Sequence, residues 1–388
     1  MTLTRTRRLA LGVSGMCLLV AACGGGDSAS PFPAAPTPTP APIPVPAPPA
    51  PSSIWTKTCT TTAPVTATVG PFHTYGGDCL VSYRLSTAEF DSLKQYTEVG
   101  AQKVRDNALA AFRANFRDEF DWVMFIWDLD GPPAGAPVGI YQQVYENKPP
   151  RCIDTIRTDC PRLLGTLTLT FAELARYHGL DPFRGGPVLH ELLHQVANRV
   201  LPTVNRGHWG FAGVGGQLGG WKPETFKDLG NGQYQVAPFG LSANGGNSVA
   251  YAPLELYLLG LLSEPDVPPV IVAEGVQVID PAKVMFSAIS MKTYTAKEIG
   301  ELLGEKRPDA TKSRTSLRMA VVVLTDKERL TEGRVRVMSI GAGHLTFEGE
   351  PGRYSVGSGL AVLDTFNFWS ATGGRARLQV TGLSTFGR

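Results

Sequence analysis

Gly185-Gly186-Pro187-Val188-Leu189-His190-Glu191-Leu192-Leu193-His194-Gln195-Val196-Ala197-Asn198 is the stretch that decides how this chain reads. The paired glycines supply a turn, and Pro187 suits the first position of a helix, where its missing N–H costs nothing. Leu189, Leu193, Val196 and Val200 recur on one face at ~100° per residue, an apolar stripe that faces a core. His190 and His194 are four residues apart, so their imidazoles point the same way. Glu191 is rotated away from the stripe. H-E-x-x-H on a helix supplies two metal-ligating imidazoles and a general base. The plainer alternative is a core helix with two histidines at its solvent edge.

A catalytic zinc ion takes three protein ligands and keeps one position open. His208 is the first candidate for the third. Helix continuing to Val200 rises ~9 Å beyond His194. Pro202 then stops it, and residues 201–208 reach up to ~27 Å. That is enough for the chain to turn back, with Gly207 easing the bend. A histidine on a surface loop is the alternative. Glu255 is the rival ligand, because it is the sole charged residue between Leu229 and Ser263. It sits in an apolar helix opening at Pro253, where a carboxylate needs a partner. That partner is either the metal site or the helix's own first amides, as for an N3 glutamate. Tyr257, Tyr251 and Arg206 are candidate donors to an oxyanion. Gly210–Gly220 and Asn244-Gly245-Gly246-Asn247 suggest mobile loops around a cleft, or ordinary surface turns.

Outward from this site, the composition sets bounds. The chain has 388 residues, 43% hydrophobic and 18% charged, enough for one large domain or two average ones. A net charge of +2 argues against a polybasic nucleic-acid binder. No apolar run reaches the ~18 residues that a spanning helix needs. The first 53 residues read as non-globular. Arg5, Arg7 and Arg8 precede an apolar stretch from Leu9 to Val20, then Ala21-Ala22-Cys23. This is an export signal over residues 1–22 and resembles a bacterial lipobox, with lipid on Cys23. Cleavage after Ala22 without lipidation is the alternative. Removing residues 1–22 takes away three arginines and no acid, leaving a formal charge of −1. Gly24 in place of aspartate points to the outer membrane, by resemblance to lipoprotein sorting rules. Residues 23–53 form a tether whose proline-rich part, Pro31 to Pro51, spans up to roughly 65 Å as polyproline II.

Apart from Cys17 and Cys23, four cysteines remain, an even number that suits disulfides in an exported chain. Local pairing, Cys59–Cys79 and Cys152–Cys160, is the simplest of three connectivities. Spacings of 20 and 8 residues lack the C-x₂-C knuckle of a zinc site. Short strands and turns are expected over 55–84 and one long helix from Thr87 to Phe116. Buried strands are expected at Asp121–Trp127, Val138–Tyr145 and Leu164–Thr170. Beyond Arg318 the pattern predicts strands at Met319–Leu324, Arg334–Ile340, Gly343–Phe347 and Arg377–Val380. The expected class is therefore α+β, with a folded region at 54–312 and a β-rich C-terminal region at 313–388 packed on it.

One resemblance adds to this reading. H-E-x-x-H, then Gly207-His208-Trp209, then Ala252-Pro253-Leu254-Glu255-Leu256-Tyr257-Leu258-Leu259-Gly260-Leu261 resembles a group of exported bacterial zinc metallopeptidases of the zincin type. In that group the last motif usually reads Ser-Pro-Leu-Asp-Leu-Tyr-Leu-Met-Gly-Leu. Phe120-Asp121-Trp122 and Ala371-Thr372-Gly373-Gly374-Arg375 also fit, so the likeness runs from Asp121 to the C-terminus with gaps. Ala252 and Leu259 depart from the pattern. Ala197 stands where metzincins place glycine, and no Met-turn is evident. The resemblance implies a zincin core over 54–312, Zn2+ as cofactor and hydrolysis of protein or peptide substrates, with no substrate named. The expectation is a monomeric lipoprotein metalloendopeptidase on His190, His194 and His208, with Glu191 as base. A surface adhesin, or a zinc hydrolase of a non-peptide amide such as cell-wall material, are the other classes open.

Overall fold

The structure is a computed structural model that describes residues 59, 64–143, 162–173, 182–198, 200–203, 207–304, 308–356, 361–380 and 382–388. The expected signal, tether, Cys23, Arg206 and the Cys152–Cys160 pair lie outside these residues. Chain order begins with β1 (Ala67–Val69), β2 (Phe72–Tyr75), β3 (Leu80–Arg84), α1 (Thr87–Gln95), α2 (Glu98–Asn115) and β4 (Trp122–Trp127). It continues through β5 (Gly139–Gln143), β6 (Gly165–Leu169), α3 (Val188–Ala197), β7 (Lys227–Gly230), β8 (Gln233–Gln235) and α4 (Pro253–Leu258). Next come β9 (Val270–Glu274), β10 (Gln277–Asp280), β11 (Met285–Ser287), β12 (Ser290–Tyr294) and α5 (Ala296–Leu303). The last elements are β13 (Ser316–Thr325), α6 (Glu332–Leu345), β14 (Gly352–Val356), β15 (Ala361–Thr365), α7 (Phe368–Ala371) and β16 (Arg377–Gln379).

The main sheet runs β1-β2-β3-β13-β4-β6-β5, with β16 also paired to β13. It is mixed: β13 is parallel to β3 and β4, β4 is parallel to β6, and β5 closes the order antiparallel to β6. The class is thus α+β. β4 reads WVMFIW and is buried at every position, the mark of a strand covered on both faces. Alternation then divides its side chains. Trp122, Met124 and Ile126 join Met319, Val321 and Val323 of β13 in a core with α3, α4 and α6. Val123, Phe125 and Trp127 join Val322 and Leu324 in a second core with α1 and α2. The Trp122 indole N–H, buried beneath α3, donates to Gln195 Oε1 at 2.8 Å. The four-stranded sheet β10-β11-β8-β7 packs separately around Trp221 and Phe286.

Three expectations are corrected. The single helix over 87–116 is two, because Tyr96 takes φ +33° and Thr97 Oγ1 accepts from Gly100 N–H, starting α2 afresh. The strands expected at 334–340 and 343–347 are the helix α6. Its buried Val335, Met338, Ala342 and Leu345 recur at three and four residues, a helical period that the valines and isoleucine disguise. The C-terminal region is therefore not β-rich throughout, and the expected division at 312/313 falls just before β13, a central strand of the main sheet. Cys59 and Cys79 are joined as a disulfide, with Cα atoms 5.6 Å apart. Among the described residues no helix is long and apolar enough to cross a membrane.

Trp122→Phe keeps an apolar ring but removes the buried hydrogen bond to Gln195 Oε1. It should cost about 1–3 kcal/mol in urea unfolding, and an unchanged midpoint would refute the tie between β4 and α3.

Candidate metal centre

Helix α3 carries the H-E-x-x-H residues, and it is buried on almost every side. Its turn needs Gly186, where a Cβ would lie 2.2 Å from the Pro182 carbonyl oxygen. The helix begins at Val188, one residue later than expected, and no side chain at Pro187 caps it. The cap comes from elsewhere. Asn247 Oδ1 accepts from Leu189 N–H at 3.1 Å, while its amide N–H donates to the Phe183 carbonyl. The Tyr251 hydroxyl donates to the Leu189 carbonyl at 2.9 Å. The helix ends at Ala197 instead of reaching Val200. Asn198 turns extended there and offers Oδ1 to His194 Nδ1 at 3.1 Å.

Three imidazoles converge. His190 Nε2 lies 3.1 Å from His194 Nε2 and 3.3 Å from His208 Nε2. His190 Nδ1 faces the Gln217 carbonyl at 3.0 Å. A carbonyl accepts and cannot donate, so Nδ1 of His190 carries the proton and Nε2 the lone pair. Asn198 Oδ1 fixes His194 in the same way. Two Nε2 lone pairs then face each other at a distance that would repel without a cation between them. Two nitrogens ~2.05 Å from one tetrahedral metal ion lie ~3.3 Å apart, which is this spacing. His190, His194 and His208 are the group of metal-binding type that the described residues bring together, with ligand atoms within 4.8 Å of one another. Gly207 permits the return of the chain: a Cβ there would lie 3.2 Å from Asn198 Oδ1 and 3.4 Å from His194 Cε1. Thr203 Oγ1 holds the turn by donating to the His208 carbonyl at 2.8 Å.

Burial sets the charges. It lowers His190 to about 3, helped by the neighbouring His194 and His208 and opposed by the Gln217 carbonyl. It lowers His208 to about 4, again with help from His194, and lowers His194 while the bond to Asn198 opposes. All three rings are therefore neutral at neutral pH, the form that ligates a metal. The same burial raises Glu191 to about 7, with the Tyr141 backbone N–H pulling against it. A carboxylate poised there takes and returns protons near neutrality. Strand β5 passes close over it: a Cβ at Gly139 would sit 2.7 Å from Glu191 Oε1 and 2.7 Å from Pro187 Cγ.

Glu255 is not among the imidazoles. Its buried carboxylate accepts Trp209 Nε1–H and Leu218 N–H on one oxygen, at 2.8 and 2.9 Å. Gln217 N–H and Ala252 N–H, at 3.0 and 2.9 Å, bond the other. Burial raises its pKa and the four donors oppose that. The glycine-rich segment, for which the sequence leaves both a mobile loop and an ordinary surface turn open, is packed around this carboxylate. A Cβ at Gly216 would fall 2.1 Å from Glu255 Oε2. Asn244 Nδ2 ties down the carbonyls of Gly216 and Gly220, at 3.0 and 2.9 Å. Tyr257 is 1% exposed within the core, and Tyr251 spends its hydroxyl on the Leu189 carbonyl. The sequence reading missed Gln217, whose backbone carbonyl carries no sequence signal. It also missed Asn198, although an asparagine four residues after His194 at a helix end was a readable one. No protein-family model, no curated protein and no solved structure matches the chain.

The pKa shifts fix a pH dependence for the metal-free protein. His190 and His208 sit near 3 and 4 when folded, against an ordinary 6.5. Below 6.5 the unfolded chain binds protons that the folded chain refuses, so stability falls as the pH falls toward 4. Glu191, raised from 4.5 to about 7, acts oppositely: its contribution is present below 4.5 and lost as the pH rises through 7. His190 and His208 should therefore make the urea midpoint of the metal-free protein fall further between pH 7 and pH 5 than it does in a variant that lacks both. Replacing His190 and His208 with asparagine should reduce that fall; an undiminished slope in the double variant would contradict the assignment.

Proposed function

We propose that the chain is a zinc-dependent metalloendopeptidase of the zincin type. The observation that carries this reading is the convergence of three imidazoles, with His190 Nε2 3.1 Å from His194 Nε2 and 3.3 Å from His208 Nε2, and with Nδ1 of His190 and His194 each facing an oxygen acceptor. Three imidazoles and an open position suit Zn2+, which binds such a set in catalytic sites. Helix α3 lying against a mixed sheet, with edge strand β5 beside it, supports a zincin-like core.

His190, His194 and His208 would hold the ion. Bound zinc supplies an acidified water and polarises the scissile carbonyl. Glu191 accepts the proton from the attacking water and passes it to the nitrogen of the leaving amine. Its burial keeps its pKa near 7, so it can do both at neutral pH. Glu191 is also what favours an enzyme over an adhesin, since a binding protein has no use for a buried, proton-active carboxyl next to two ligands. The chain is further proposed to act as a monomer on protein or peptide substrates. We place it at the outer membrane, held through lipid on Cys23 and the proline-rich tether.

Purified protein should bind one zinc ion per chain and cleave an unfolded protein such as casein. Glu191→Gln should keep the zinc and lose about 10²–10⁴-fold in turnover; full activity would refute the mechanism. His208→Ala should weaken zinc binding by orders of magnitude, and unchanged affinity would remove it from the ligand set. In cells, Cys23→Ser should give an uncleaved or soluble form. Full partition of a processed Cys23→Ser protein into detergent would exclude the lipid anchor.

A further inference from the structure

We propose that Glu255 is a positioning residue, which fixes the tautomer of His190 and the placement of His208 through a single peptide group and one indole. This rests on the reading of the three histidines as metal ligands. Glu255 occupies the N3 position of α4, and two other glutamates of this chain hold the equivalent place. Glu89 in α1 accepts from Ser86 N–H and hydroxyl, and Glu298 in α5 from Thr295 N–H and hydroxyl, both in exposed settings. Capping a helix therefore asks for neither burial nor remote partners. Glu255 is fully buried and takes three of its four donors from Trp209, Gln217 and Leu218.

All four partners donate, so the arrangement fits an ionised carboxylate. Among the described residues no cationic side chain pairs with it. The route from that charge leads to the metal centre. The peptide group joining Gln217 to Leu218 gives its N–H to Glu255 Oε1 and its carbonyl to His190 Nδ1. An anion at the N–H end of an amide strengthens the oxygen at the other end as an acceptor. That oxygen holds the proton on Nδ1 and makes Nε2 the more basic ligand atom. On the second arm, Oε1 also receives the indole of Trp209, the residue after His208, and Trp209 N–H bonds the Leu218 carbonyl at 2.9 Å. Gly216 allows the carboxylate this close, since any Cβ there would overlap it.

The test compares full-chain Glu255→Gln, Glu255→Asp and Glu298→Gln with the unaltered protein. Glu255→Gln turns one acceptor oxygen into a donor facing two N–H groups. It should weaken zinc binding about 10–100-fold, and nitrogen NMR of the metal-free protein should show His190 losing its Nδ1–H tautomer. Glu255→Asp keeps the charge and should recover part of both. Glu298→Gln removes an exposed cap alone and should leave zinc affinity and tautomer unchanged. If Glu255→Gln behaves like Glu298→Gln, with zinc affinity within twofold and the tautomer intact, the proposal is wrong. Should Glu255→Gln fail to fold, Glu255→Asp decides on the same two readouts, wild-type values in both overturning it. If the unaltered protein takes up no zinc, the metal-centre reading fails by itself. The tautomer measurement, made without metal, still decides whether Glu255 orients His190.

Discussion

Burying a histidine, a glutamate and a glutamine, and half-burying a second histidine, on one ten-residue helix obliges the rest of the chain to supply their partners. A polar group taken out of water without one costs about 1–3 kcal/mol. The partners come from widely spaced segments: Trp122 from β4, the Tyr141 peptide from β5, Gln217 from the glycine-rich loop and Asn247 from the turn before α4. Each satisfies one group of α3 and in doing so fixes where its own segment must lie. Much of the tertiary arrangement around the helix follows from this requirement.

The sheet makes such burial possible. A helix buried on almost every side must rest on a platform that is itself dry, and β4 and β13 provide it. Their side chains alternate between two cores, so that α1 and α2 seal one face while α3, α4 and α6 occupy the other. Because β13 comes from residue 316 onward and β4 from residue 122, the platform is assembled from both ends of the folded chain. His190, His194 and His208 stand between these two strands in sequence, and the apolar face of α3 shares their core.

What was legible in the sequence was local. H-E-x-x-H on an amphipathic helix, the return of the chain at Gly207-His208 and the helix opening at Pro253 each depend on neighbouring residues, and each is present. The α1–α2 break turned on one threonine hydroxyl competing for a backbone N–H, too small an effect to outweigh a run of helix-forming residues on either side. In α6, Val335, Val337 and Ile340 suggested a strand because β-branched residues favour one, although the buried positions follow a helical period. The glycine-rich loop stayed ambiguous for a deeper reason. Glycine serves flexible turns and also close packing, and composition cannot tell which. Gly216 is there because Glu255 leaves no room for a Cβ, and Glu255 is 39 residues away in sequence.

Two buried carboxylates, Glu191 and Glu255, show how environment assigns different work to one side chain. Both lose water, and desolvation raises both pKa values. Glu191 receives one backbone N–H, from Tyr141, which leaves its oxygens free to exchange a proton near pH 7. Glu255 receives four N–H groups, two on each oxygen, so a proton placed on it would displace a hydrogen bond already made. The first carboxylate is open to a proton, and the second has its acceptor positions taken by N–H donors. On the proposed reading the two would serve the same helix differently: Glu191 would move protons beside the ligands, while Glu255 would hold still the peptide group that orients one of them.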